Sequence, residues 1–237
     1  MKLKSDDELE RSAVVASCRM NRERRLTGSN GYAKELGFNP VDFLRERFAQ
    51  DRPVAWLDLC CGTGRALVEA AELVHSGGLD VEILGVDLVG MFDTPEPGLR
   101  FLKLVQASLS NWRPDRSFDL ITCVHGLHYV GDKLGLITRA ALWVVENGLF
   151  AANLDHVNLK VAGEKSDRRL VQDLGRAGMT YDRKKRLLMC RGPKRLALPF
   201  RYLGADDTAG PNYTGQPAVD SYYERTAGSP PSGKANT

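Results

Sequence analysis

No apolar run in this sequence approaches the roughly 20 residues that a membrane-spanning helix needs. Residues 1–10 are charged and have no apolar centre, so they lack the form of a secretion signal. Both absences point to an intracellular chain, and we expect it in the cytoplasm. Cysteine is sparse and without a pairing pattern. Cys18, Cys60, Cys61, Cys123 and Cys190 make an odd set with no Cys-x-x-Cys, which argues against a disulfide framework, a zinc finger or a thioredoxin-type redox pair. We read them as reduced thiols in buried or loop positions and expect no bound metal. A strong excess of one charge is also missing. The 33 Lys and Arg stand against 30 Asp and Glu, and a net charge of +3 is too mild to name a nucleic-acid partner. No internal repeat is visible. What is present suffices for a core: 237 residues that are 43% hydrophobic fit one large domain, or one with appendages, and need no covalent staple.

The chain is polar and helix-prone to about residue 50, broken by the turn-forming run Thr27-Gly28-Ser29-Asn30-Gly31. Asn39 and Pro40 read as the cap and first residue of a helix carrying Val41, Phe43, Leu44 and Phe48 on one side. The period then changes. Val54–Leu59 is a short apolar run ending in a glycine turn, so we read a buried strand. Ala66, Leu67, Ala70, Ala71 and Val74 lie on one helical face, and Gly77-Gly78 end it. Further strands are predicted over 81–86, 100–106, 118–124 and 148–154, and helices over 132–144 and 165–177. Alternation of this kind implies a parallel sheet with right-handed crossovers. Residues 183–190 and 195–203 read as two strands joined as a hairpin by Arg191-Gly192-Pro193-Lys194. The Ser, Pro and Gly-rich tail from Gly228 reads as disordered. These boundaries give an N-terminal helical lid (1–50), a core (51–205) and a C-terminal extension with its tail (206–237).

Asp58-Leu59-Cys60-Cys61-Gly62-Thr63-Gly64 ends the first strand and opens a helix. Glycine there lets a ligand approach the backbone, and the helix start beyond offers unpaired amides. A dinucleotide site would share these features, but its Gly-x-Gly-x-x-Gly pattern fails because Leu67 stands at the third glycine. Asp58, ahead of the glycines, would repel a pyrophosphate and suits a cation. Asp87, at the end of the second strand, is placed to accept hydrogen bonds from two ribose hydroxyls.

Together with Leu84-Gly85-Val86-Asp87 and Phe118-Asp119-Leu120-Ile121-Thr122-Cys123, these residues resemble the class I S-adenosylmethionine-dependent methyltransferases over roughly residues 30–205. The resemblance implies an α/β fold with a Rossmann-like, seven-stranded, mostly parallel sheet and a C-terminal antiparallel hairpin. It implies S-adenosylmethionine as cofactor. Asp58, Cys60, Gly62 and Gly64 would line the methionine and ribose side, Asp87 would hold the ribose, and Leu88 would pack on the adenine. Ala107 and Ser108 would flank the adenine edge, His125 would sit near the transferable methyl, and the N-terminal region with Arg22, Arg25 and Tyr32 would cover the cofactor. The sequence departs from the family at Cys60, often glycine, and at Ser108, often an acid that contacts the adenine amine. A serine hydroxyl still accepts such a bond.

A base is useful for an oxygen or acidic-carbon acceptor, and histidine is the usual one near neutral pH. His125 and His156 follow the fourth and fifth strands, at the carboxyl ends where ligands bind in such sheets; either is a candidate catalytic base. His128 is expected to pack under a helix. The Asp/Asn-Pro-Pro-Tyr pattern of exocyclic-amine methyltransferases is absent, so the expected acceptor is a small molecule, methylated at oxygen or carbon rather than nitrogen. Two other readings stay open. Twelve Lys and Arg against three Asp between Lys165 and Arg201 would suit RNA phosphates, or simply a solvated hairpin edge. A cofactor-binding partner subunit without catalysis would share the same motifs. The segment Gly204–Gly215, with Tyr213, reads either as part of the acceptor pocket, as an oligomer contact or as a surface loop.

Overall fold

In the computed structural model, which describes residues 2–16, 23–48, 54–95, 97–164 and 168–226, the strands of strongest apolar pattern sit at the centre. β1 (Val54–Leu59) and β4 (Phe118–Cys123) are buried at every position. They pair in parallel, and β2 (Val81–Asp87) and β3 (Leu102–Gln106) extend the sheet on one side. β5 (Val144–Asn153) lies on the other side, parallel to β4. Beyond it come β8 (Leu187–Arg191) and then β7 (Thr180–Asp182), both joined antiparallel, giving the order β3-β2-β1-β4-β5-β8-β7. This is the expected seven-stranded, mostly parallel α/β sheet.

Both faces of a parallel sheet must be covered. On one face lie α4 (Pro40–Phe48) and α5 (Arg65–Ser76), whose Leu44, Leu67, Ala70 and Val74 pack with Trp56 and Ile83. On the other, α6 (Lys133–Leu142) and α7 (Arg168–Arg176) bring Ile137, Ala140, Leu170 and Leu174 against Leu57, Ile121 and Phe150. Asn39 Oδ1 accepts from Val41 N at 3.0 Å, so the expected cap of α4 forms.

The hairpin at the sheet edge lies one turn earlier than the pattern suggests. Residues 183–186 are its turn, not strand: Asp182 Oδ1 accepts from the amides of Lys184 (2.9 Å) and Lys185 (3.0 Å), and Arg186 takes a left-handed φ of 50°. β8 is followed by Gly192, with φ of 67°, and Pro193, which has no N–H to continue a ladder. The second expected strand leaves the sheet. It becomes β9 (Phe200–Asp206), antiparallel to β10 (Asp220–Arg225), which pairs in parallel with β6 (Leu159–Val161) in a separate three-stranded sheet. The expected boundary between residues 205 and 206 therefore falls inside β9.

The N-terminal segment joins this second sheet. Lys4 N donates to Ala205 O at 2.8 Å and Ala205 N to Lys4 O at 3.0 Å. α1 (Asp6–Glu10) and α2 (Ala13–Ala16) follow, then α3 (Tyr32–Leu36). Cys18, Arg22 and the tail from Gly228 lie outside the described residues. No helix among the described residues is long and apolar enough to cross a membrane.

Candidate active site

The turn after β1 is built from left-handed residues: Cys60 (φ 58°), Gly62 (63°) and Gly64 (78°), the last opening α5. Such angles suit glycine, and at Gly64 a Cβ would also overlap the Leu104 side chain. The turn is tied to β2. Cys61 N donates to Val86 O at 3.1 Å, and Gly62 N donates to Asp87 Oδ2 at 2.9 Å. Asp87 Oδ1 accepts from Val89 N at 2.9 Å. Asp87 thereby holds the glycine turn and the following loop in register.

Above these strand ends opens a cavity, about 860 Å³ with the open space at its mouth included. Of the residues named from sequence, Cys60, Gly62, Asp87, Leu88, Ala107 and His125 line it. Tyr32, Asp58, Gly64, Ser108 and His156 are not among its lining residues. Asp58 is fully buried beneath it. It accepts from Tyr32 Oη at 2.7 Å and from Thr122 Oγ1, and Thr122 in turn accepts from Trp56 Nε1 at 2.8 Å. Burial pushes the Asp58 carboxyl up to about 7, against the opposing hydrogen bonds of Thr122 and Tyr32. The hydrogen bond with Cys123, with burial, holds the Cys60 thiol protonated, well above its usual range.

His125 is buried, left-handed (φ 59°) and faces the cavity. Its Nε2 lies 3.0 Å from Glu35 Oε2, an ion-pair distance without hydrogen-bond alignment, and its Nδ1 lies 3.5 Å from Tyr213 Oη. Burial lowers its pKa below the ordinary histidine value, and Glu35 opposes that shift. The imidazole is thus neutral near pH 7. Tyr32 and Glu35, one turn apart on α3, serve Asp58 and His125 from the same helical face. Tyr213 lies under the Arg186 guanidinium, 3.9 Å from its ring centroid. His156 is placed elsewhere. Its Nδ1 meets Tyr181 Oη at 2.8 Å, and that hydroxyl donates to Leu154 O, so Nδ1 must carry the proton.

Sequence reading passed over Glu35, Thr122, Glu10 and Arg139. Thr122 alone gave a signal, as a polar residue within a buried strand. Ser108, expected at the adenine edge, donates from Oγ to Glu10 Oε1 at 2.6 Å.

A glycine turn after the first strand, an acid ending the second and a cavity at the carboxyl ends define an α/β nucleoside-binding domain. The chain belongs to a methyltransferase-domain family, whose model matches residues 32–177. Among curated proteins no sequence match is found. Solved structures are similar in part. The DszA carbon methyltransferase is 16% identical over 53% of this chain and 36% of its own, with a TM-score of 0.44. The plantazolicin methyltransferase BpumL, in complex with a monoazolic desmethylPZN analog and SAH, is 14% identical over 58% of this chain and 50% of its own, at 0.41. CalS10, an amino pentose methyltransferase from Micromonospora echinaspora with SAM bound, is 17% identical over 48% and 47%, at 0.36. The chain spans half or less of the length of these proteins.

Proposed function

We propose that this chain is an S-adenosylmethionine-dependent methyltransferase acting on a small molecule, at oxygen or an acidic carbon in preference to nitrogen. The observation that carries the reading is one cavity lined by both Asp87 and the buried His125. The lining fits the cofactor. Asp87 accepts two backbone amides and presents a carboxylate to the cavity, the group that would accept from ribose hydroxyls. Leu88 and Ala107 offer apolar surface to a base, and the Cys60–Gly62 backbone lies where a methionyl chain would run.

When bound, the sulfonium supplies an electrophilic methyl that leaves sulfur as the new bond to the acceptor forms. The protein's work is alignment and proton removal. His125 takes the acceptor's proton as the acceptor's lone pair or carbanion attacks, and Glu35 stabilises the imidazolium that results. Asp58, held beneath the turn by Tyr32 and Thr122, places a carboxyl near the cationic portion without entering the cavity.

Calorimetry with S-adenosylhomocysteine is the direct test. Binding is expected, with Asp87→Ala weakening it at least about tenfold, as loss of charge-assisted hydrogen bonds implies. No heat with this nucleoside alongside clear heat with NAD would remove the reading. For turnover, His125→Ala should lower kcat about 100-fold or more while cofactor affinity stays within about threefold. His156→Ala should leave kcat within about threefold, because that ring is committed to Tyr181. Equal losses in both would reassign the base.

A further inference from the structure

The connection between β9 and β10, residues 207–219, lies outside the stretch matched to the family, and it is a built turn. Pro211 faces Pro217 in an antiparallel bridge, Asn212 N donates to Gln216 O at 2.7 Å, and Asn212 Oδ1 accepts from Thr214 N at 2.7 Å. Val219 N donates to His128 O at 2.9 Å, which docks the connection on the segment Gly126–Tyr129 that follows β4. The turn carries Tyr213. Its ring centroid lies 6.0 Å from that of His125 and 5.5 Å from that of His128, and the residue is 39% exposed.

A line of polar groups runs through His125. Glu35 Oε2 stands 3.0 Å from Nε2, and Tyr213 Oη stands 3.5 Å from Nδ1. A carboxylate that close repels a bare lone pair, so Nε2 carries the proton of the neutral ring and Nδ1 is the basic nitrogen. The hydroxyl facing that nitrogen is Tyr213's, and it must donate. Its length is that of a catalytic hydrogen bond before substrate tightens it. Arg186 holds the Tyr213 ring by its face, 3.9 Å from the centroid, and its Nη1 is 3.7 Å from the buried Asp155. His128 stays out of the line. Burial holds its pKa well below the ordinary value, and neither ring nitrogen has a hydrogen-bond partner among the described residues.

We infer that Tyr213 carries the acceptor's proton to His125, and that the acceptor is a phenol rather than an aliphatic alcohol. This rests on the assignment of His125 as base given above. His125 lines the cofactor cavity, while both its ring nitrogens face groups beyond the lining, so the half-exposed Tyr213 is the route by which a proton reaches Nδ1. In the step, the acceptor O–H bond breaks and its proton passes to Tyr213 Oη as the Tyr213 proton passes to His125 Nδ1. The pair left on the acceptor oxygen forms the bond to the methyl, the C–S pair returns to sulfur, and Glu35 balances the imidazolium. Chemical matching sets the acceptor class. A proton moves readily between groups of like acidity, and Tyr213 is itself a phenol. Burial, with Glu35, pushes it up to about 12, so its oxygen is basic enough for a phenol's proton but not for an alcohol's.

The test follows a labelled methyl from S-adenosylmethionine to two probe acceptors at about pH 8.5: phenol, still protonated there, and 4-nitrophenol, already ionised. Tyr213→Phe keeps the ring under Arg186 and removes only the hydroxyl. With phenol it should lower turnover about 100-fold or more. With 4-nitrophenol, which brings no proton to remove, it should stay within about threefold of wild type. Its melting temperature and its affinity for S-adenosylhomocysteine should match the wild type. His125→Ala should show the same selectivity, and the double variant should lose no more than the worse single one, because both residues serve one proton path. Equal losses for the two acceptors in Tyr213→Phe would make the residue structural, and a loss with phenol in His125→Ala alone would put the proton directly on His125. Either result overturns the inference and leaves the proposed function standing. A wild type that binds S-adenosylhomocysteine but methylates neither probe also overturns it. A wild type that does not bind S-adenosylhomocysteine overturns both readings.

Discussion

Asp58 joins burial, chemistry and stability in one side chain. It is fully buried, and its carboxyl titrates near 7 rather than in the usual carboxylate range. Between about pH 4 and 7 the unfolded chain loses this proton and the folded chain keeps it, so the folded state binds more protons. Stability must then fall as pH rises through that window, by up to about 1.4 kcal/mol per unit, and level off above it. Asp58→Asn removes the slope. The melting temperature of the variant should gain on the wild type between pH 5 and 8; a constant difference would show that Asp58 ionises normally. The sequence made Asp58 legible as an acid ahead of a glycine turn. It did not reveal that Tyr32 and Thr122 cover it, because those partners lie 26 and 64 positions away and meet only through packing.

At the scale of elements, α6 is clamped to the second sheet by Lys133. Its fully buried amine donates to Val130 O (2.9 Å), Val219 O (2.7 Å) and Ser221 Oγ (2.8 Å). Ser221 spends its own proton on Gly131 O, so the three acceptors call for a protonated amine, even though burial lowers its pKa to about 7. Lys133→Met would take the amine from three acceptors, two of them buried. We expect a loss of roughly 2–5 kcal/mol and a melting temperature lower by roughly 5–15 °C. An unchanged melting temperature would mean that the sheet is held by its apolar contacts alone. Element type was readable where periodicity was strong, as in β1, α5 and β4. The late hairpin was misplaced because the basic run Arg183–Arg186 has no period of its own and reads equally as the start of a strand or as a turn. Only the Asp182 side chain and the left-handed Arg186 distinguish them.

For the whole molecule, charge and topology bear on the choice of acceptor. The basic run Arg183–Arg186 is a hairpin turn whose Arg183, Lys184 and Lys185 are exposed, while Arg186 is drawn over Tyr213. We expect no salt-dependent retention of RNA at 50 mM salt. Binding whose salt slope falls by about two in a Lys184→Ser/Lys185→Ser double variant would instead support an RNA acceptor. The amino-acid order by itself determined the sheet class, the glycine turn and Asp87, because hydrophobic period and local turn chemistry act over a few residues. Only the tertiary structure decided that Glu10 and Arg139 line one cavity, that Glu35 attends His125 while His156 is held apart, and that β9 leaves the main sheet for β10. Each of these depends on segments far apart in the chain coming together, and the chain order carries no local signal of which distant side chain will arrive.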